Sequence, residues 1–178
     1  TSMTSTAIGA RSPDISYAGT TLSHNGTTYY WRIKFADASG LTSPWSAIGS
    51  FVMDGGPFAP TELLTDGQTN PVRILSLTPS FSAIYNDPNG DSASAYQIEV
   101  NTNNTFTGTV MWDSTKTSTS VTDNTRSSNY TYAGIALNNT NTTYYWRIKF
   151  WDAEDYEGEW SATAQFSSLQ ASFQFEGL

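Results

Sequence analysis

A stretch of this chain occurs twice. Residues 27–35, TTYYWRIKF, recur unchanged at 142–150. Tyr17-Ala18-Gly19 returns as Tyr132-Ala133-Gly134, Trp45-Ser46-Ala47 as Trp160-Ser161-Ala162, and Phe51 as Phe166, always 115 residues on. Over 17–51, 19 of 35 positions are identical without a gap. Such self-similarity marks a duplicated domain, so any fold assigned to one copy must serve the other. The second copy opens after Gly55-Gly56-Pro57 and closes near Phe166. At the same offset Thr1 corresponds to Lys116, so residues 57–115 have no counterpart in the first copy. The expected division is 1–55 as the C-terminal half of one repeat and 57–168 as a complete repeat. Residues 169–178 are read as a tail, linker, donor strand or start of a next domain.

Alternation and turn punctuation predict strands in the complete copy at 61–64, 79–85, 95–101, 109–113, 118–122, 129–133, 144–151 and 160–166. Polar turns separate them, among them Asp66-Gly67-Gln68-Thr69-Asn70-Pro71 and Asn86-Asp87-Pro88-Asn89-Gly90-Asp91. In the longest strand, a period of two puts Tyr144, Trp146, Ile148 and Phe150 on one face, the expected core. The equivalent core set of the first copy is Tyr29, Trp31, Ile33 and Phe35. The other face carries Tyr145, Arg147, Lys149 and Trp151, where cationic stems can lie across aromatic rings. Short strands of this number in about 110 residues suggest a two-sheet antiparallel sandwich.

Composition narrows the function. Eight Lys and Arg stand against 16 Asp and Glu, for a net charge of −8. A polyanion needs a basic face, so nucleic acid is excluded as a partner. There is no apolar run long enough for a membrane span in this segment. Cys is absent and His24 is the one histidine. Thiol chemistry and Cys- or His-rich metal centres are thereby excluded. Thr, Ser and Asn make up 61 residues, more than a third, and 14% of the chain is aromatic. An all-β, Thr-rich, acidic, cysteine-free chain with aromatics enough for a core fits an extracellular or cell-surface setting.

Specific residues carry a family likeness. The Tyr144-Tyr145-Trp146-Arg147 strand start, Trp151-Asp152, Trp160-Ser161, Pro60 with Leu63, and the strand Tyr96-Gln97-Ile98-Glu99-Val100 resemble a fibronectin type III domain. Trp112-Asp113-Ser114 and Tyr132-Ala133-Gly134 followed by Leu137 resemble the variant found in bacterial rhamnosidase accessory domains and large bacterial surface proteins. The resemblance covers most of 57–166 and the later half of the fold in 1–55. It implies tandem fibronectin type III or immunoglobulin-like antiparallel β-sandwiches, the first incomplete. It also implies that Tyr144 and Tyr29 are tyrosine-corner residues, whose hydroxyls tie the preceding loop to the backbone. Phe81 departs from the family, which usually has Trp in the second strand.

Each candidate site has an ordinary structural counterpart. Asp87, Asn89 and Asp91 lie in one loop, and Asp152, Glu154 and Asp155 in another. A type III sandwich brings both loops to one pole, where oxygen ligands would suit Ca²⁺. Asn, Asp, Pro and Gly also serve turn geometry, and the expectation is solvated turns without a metal. The first copy has only Asp37 in the matching loop. Tyr30, Tyr145 and Trp151 offer rings for stacking on sugars, but packing along the sheet face is the expected role. Asn-x-Ser/Thr triplets place possible glycosylation at Asn25, Asn103, Asn129, Asn138 and Asn141. The acids cluster on turns and His24 sits in an Asn-Gly loop. No catalytic residue, no cofactor and no enzymatic role are therefore expected.

The functional expectation is a non-catalytic structural repeat, a spacer or fibre building block of a large extracellular surface protein, with head-to-tail assembly as one mode open to it. Its expected partners are neighbouring repeats or copies of the same protein, with glycans as a further candidate. The alternative is a carbohydrate-binding or accessory module of a secreted glycosidase. The first half-repeat is expected to be completed by strands from another polypeptide segment. Ala171, Phe173 and Phe175 alternate with polar residues as an inserted strand would.

Overall fold

The computed structural model describes residues 5–169. Those residues form an all-β structure of ten strands. The proposed donor residues Ala171, Phe173 and Phe175 lie outside the described residues.

Eight strands build one sandwich. They are β3 (Thr61–Thr65), β4 (Ser80–Ile84), β5 (Ala93–Asn101), β6 (Val110–Asp113), β7 (Thr117–Val121), β8 (Tyr130–Thr131), β9 (Thr143–Trp151) and β10 (Ala164–Ser167). One sheet has the order β3-β4-β8. In the other, β10 pairs with β9 and β9 with β5, while β6 and β7 both pair with β5. All these pairings are antiparallel.

The core between the sheets follows the period of two. Phe81, Ala83 and Tyr85 from one sheet meet Ile98, Val100, Trp146, Ile148, Phe150 and Phe166 from the other, all fully buried. Phe81 and Trp146 have ring centroids 4.7 Å apart, and Tyr85 meets Phe150 edge-on at 5.3 Å. Trp112 also stacks on Phe81, with ring centroids 6.0 Å apart.

The last strand is shorter than the expected 160–166 and begins at Ala164. Ser161 accounts for the difference. Its amide donates to the Ile148 carbonyl at 2.8 Å, and its Oγ accepts the Ile148 amide at 3.1 Å. A side-chain oxygen thus replaces a ladder carbonyl, and the chain joins the sheet only three residues later. The tyrosine corner is formed: the Asn138 amide donates to Tyr144 Oη at 2.8 Å.

Residues 5–55 contribute a hairpin of β1 (Thr28–Trp31) and β2 (Gly49–Val52). Its register repeats that of β9 and β10: Tyr29 faces Phe51 as Tyr144 faces Phe166. The local devices repeat as well. The Ser23 amide donates to Tyr29 Oη at 3.0 Å, and Ser46 Oγ accepts the Ile33 amide at 3.1 Å. The environments differ. Trp146 is fully buried, whereas Trp31 is 54% and Phe35 44% exposed, and Tyr29 and Ile33 are half-buried. Within this chain, then, Tyr29, Trp31, Ile33 and Phe35 do not occupy a closed core. The physical reason is that no second sheet packs on the β1–β2 hairpin among the described residues.

Candidate functional site

The outer face of β9 is a ladder of cations and rings. The Arg147 guanidinium lies 4.1 Å from the Phe106 ring centre and 4.3 Å from that of Trp160. Lys149 Nζ lies 4.6 Å from Trp160 and 4.9 Å from Trp151, and Lys116 Nζ lies 4.8 Å from Trp151. Glu99 accepts from Arg147, and Glu157 pairs with Lys149. The first copy repeats one rung, with Arg32 at 4.3 Å and Lys34 at 5.1 Å from Trp45. Trp151 is 7% exposed, so its ring, one of the three candidates for stacking on sugars, is closed off by the protein itself. The two lysines that share its face cover it. Tyr30 is exposed and Tyr145 half-buried, beside a shallow polar groove lined by Asn70, Asn104, Thr163 and Gln165.

The five sequon asparagines are all exposed. In three of them the Asn Oδ1 accepts the hydroxyl of the Thr two residues on: Asn25 from Thr27, Asn103 from Thr105 and Asn138 from Thr140. These bonds are local turn geometry of Asn and Thr side chains. The other two, Asn129 and Asn141, stand at the starts of β8 and β9.

The acidic pole holds the densest cluster of chemistry-bearing groups among the described residues. Asp87 organises its loop. Its Oδ1 accepts the amides of Asn89, Gly90 and Asp91 at 3.0 to 3.1 Å, and its Oδ2 accepts the Tyr85 hydroxyl at 3.1 Å. Both oxygens are committed, so Asp87 is a turn residue. Asn89 donates to Asp91, and Asp155 pairs with Lys116. Asp91 and Glu154 point into common space with a third carboxylate, that of Asp54. One carboxylate oxygen from each of Asp54, Asp91 and Glu154 lies within 4.8 Å of the other two.

Asp54 was absent from the candidates drawn from the sequence. It stands outside both predicted loops, and the available signal was its place directly before Gly55-Gly56. The structure shows why those glycines are there. A Cβ on Gly55 would lie 2.5 Å from the Gly26 amide nitrogen, and one on Gly56 would lie 2.5 Å from the Glu157 carbonyl oxygen. The linker is pressed between the first unit and the second-loop backbone. His24 packs on Tyr156 at 5.1 Å beside it.

Asp152, two residues before Glu154, has no solvent exposure. Its Oδ1 accepts the Tyr156 amide at 2.8 Å, and its Oδ2 has no hydrogen-bond partner. Burial, and then the charges of Asp54 and Asp87, push its carboxyl up from the ordinary aspartate range. Local desolvation and the charges of Asp91, Asp54 and Asp152 do the same to Glu154. Among the described residues, none of Asp54, Asp87, Asp91, Asp152 and Glu154 forms an ion pair.

Comparison with known proteins places this architecture. The family described as "Rha78A-like, N-terminal immunoglobulin domain" matches residues 60–168. An alpha-L-rhamnosidase of Formosa agariphila is 33% identical over 109 residues, which are 59% of this chain and 11% of that protein. The solved alpha-L-rhamnosidase from Dictyoglumus thermophilum is similar with a TM-score of 0.52 and 25% identity, over 63% of this chain and 12% of that one. Streptomyces avermitilis alpha-L-rhamnosidase, solved in complex with L-rhamnose, gives a TM-score of 0.53 and 26% identity, over 62% and 10%. This chain spans about a tenth of the length of each of these relatives.

Proposed function

The chain belongs to the Rha78A-like, N-terminal immunoglobulin domain family, and on that premise we propose that it is a non-catalytic β-sandwich module, a spacer within a larger extracellular protein. The matched region is an immunoglobulin domain of the kind that stands at the N-terminus of such proteins. The observation that carries the spacer reading is the repetition of one hairpin in identical register, β1–β2 and β9–β10, with the same tyrosine corner and the same serine. A module repeated in this way serves as a building block of a stalk. Residues 1–55 are then the later half of a preceding repeat, and 57–168 the complete one. The exposed ring face of β1 is the surface on which the missing opening strands pack, whether they come from the same protein or from a neighbouring copy head to tail.

The test is a longer segment carrying the residues upstream of Thr1. In that segment the Trp31 emission, isolated by difference against Trp31→Phe, is expected to shift to the blue and resist quenching by acrylamide. Emission as exposed as in the present chain defeats the reading.

A second reading, contact with glycans as an accessory module of a secreted glycosidase, is favoured by one feature. Tyr145 borders a polar groove with Asn70, Asn104 and Gln165, a ring beside amides of the sort that meets sugars. Titration with rhamnose-containing oligosaccharides separates the two readings. Binding lost in Tyr145→Ala supports glycan contact, and no heat of binding supports the spacer alone.

A further inference from the structure

We propose that the acidic pole is a Ca²⁺ site that clamps the Asp54-Gly55-Gly56 linker onto the complete sandwich, with Asp54, Asp91 and Glu154 as ligands and the buried Asp152 in the same loop as Glu154. This departs from the sequence-based expectation of solvated turns. Two independent observations separate the site from an ordinary acidic surface.

The first is the convergence of three chain segments. Asp54 comes from the linker, Asp91 from the loop between β4 and β5, and Glu154 from the loop after β9. Their ligand oxygens fall within 4.8 Å of one another. Calcium binds oxygens at about 2.3–2.6 Å, so ligands on opposite sides of one ion stand up to about 5 Å apart. The spread of the triad therefore fits a single cation.

The second is Asp152. A buried carboxylate normally has both oxygens satisfied, because an unpaired buried charge is costly. Asp152 has no solvent exposure, one oxygen bound to an amide and the other bare. Nothing cationic among the described residues neutralises it. Lys116 and Lys149, the lysines on this part of the sandwich, are taken by Asp155 and Glu157. A divalent ion held by the triad removes the repulsion within it and sets a positive charge beside the loop that buries Asp152. Calcium is the fitting ion because it accepts six to eight oxygens in loose geometry, and waters complete the shell. The inference holds whether the module is a spacer or touches glycans.

The clamp has a mechanical consequence. With the linker held by Asp54, the first unit cannot swing about Gly55-Gly56. The first copy has no equivalent acids beyond Asp37, whose Oδ1 is already occupied by the amides of Ser39 and Leu41. The clamp therefore belongs to this junction and is not built into every repeat.

The experiment uses the whole 178-residue chain, stripped with a chelator and titrated with CaCl₂ alone by calorimetry and thermal melting at constant ionic strength. Saturable binding is expected with Kd of about 0.1–1 mM, the range of extracellular calcium modules, together with a rise in Tm. Asp54→Asn and Glu154→Gln, both at solvent-accessible positions, should each weaken binding at least about tenfold. Asp155→Asn, on the same loop but paired with Lys116, should leave it unchanged. The absence of binding and of any Tm rise at about ten times the upper Kd overturns the site. So does an equal effect of Asp155→Asn, or an equal Tm rise with NaCl at matched ionic strength, since either means general screening. Loss of binding in Glu154→Gln but not in Asp54→Asn overturns the clamp.

Discussion

At the residue scale, one strand presents two tryptophans of different value. Trp146 is enclosed between the sheets against Phe81. Trp151 is covered on the outer face by Lys116 and Lys149. Trp146→Ala should cost about 3–5 kcal/mol, since it leaves a cavity in a closed core. Trp151→Ala should cost less, about 1–3 kcal/mol, because flexible lysine stems can settle into the space. Equal losses in urea denaturation would mean that the two faces of β9 are equally closed.

The tyrosines supply a pH signature. Burial raises the phenols of Tyr85, Tyr96, Tyr130 and Tyr132, that of Tyr132 to about 12 with help from Tyr144. Each such group binds its proton more tightly when folded, so its contribution is intact below the unfolded value of 10.0. It is lost as pH climbs toward the folded value. The urea midpoint should therefore fall between about pH 10 and pH 12, and Tyr132→Phe should make that fall shallower. A midpoint unchanged over that window contradicts the burial of these phenols.

At the scale of elements, the Tyr132-Ala133-Gly134 motif locks the end of β8 to β6. Tyr132 Oη donates toward the carbonyls of Met111 at 3.0 Å and Ile135 at 2.6 Å. Gly134 packs so closely that a Cβ would lie 2.1 Å from the Met111 carbonyl oxygen and 2.5 Å from Trp112 Cβ. Neither is the end of a flexible chain, so the backbone itself must move. Gly134→Ala should destabilise by about 1–3 kcal/mol, the cost of overpacking a filled site. A neutral or stabilising effect in thermal melts would show that β6 can retreat. The equivalent Gly19 faces only the tip of the Tyr17 side chain, so Gly19→Ala should be tolerated.

At the scale of the whole molecule, the two copies form an internal control. Trp31 and Trp146 occupy the same position of the same nonapeptide, one open to water and one sealed. Trp31→Ala should change stability by no more than about 0.5 kcal/mol, as for other surface substitutions, against the several lost at Trp146. A comparable loss at Trp31 would show that its face is covered in solution, by a second copy if the loss grows with protein concentration.

The sequence determined the all-β class, most strand positions, the buried face of β9 and the family likeness. It could do so because alternation, turn residues and a long exact repeat are local properties of the chain. The tyrosine corner was implied by the family likeness alone, and the structure forms it. Only the tertiary structure decided the rest. It showed that two identical nonapeptides meet different surroundings, because burial depends on the opposing sheet. It showed that Trp151 lies under Lys149 of β9 and Lys116 of the turn before β7. It separated Asp87, both of whose oxygens are taken by its own turn, from Asp91, which shares space with Glu154. And it brought in Asp54, which no spacing rule could pair with residues some forty and a hundred positions away. A ligand set drawn from three segments exists only once the chain has folded them to one pole.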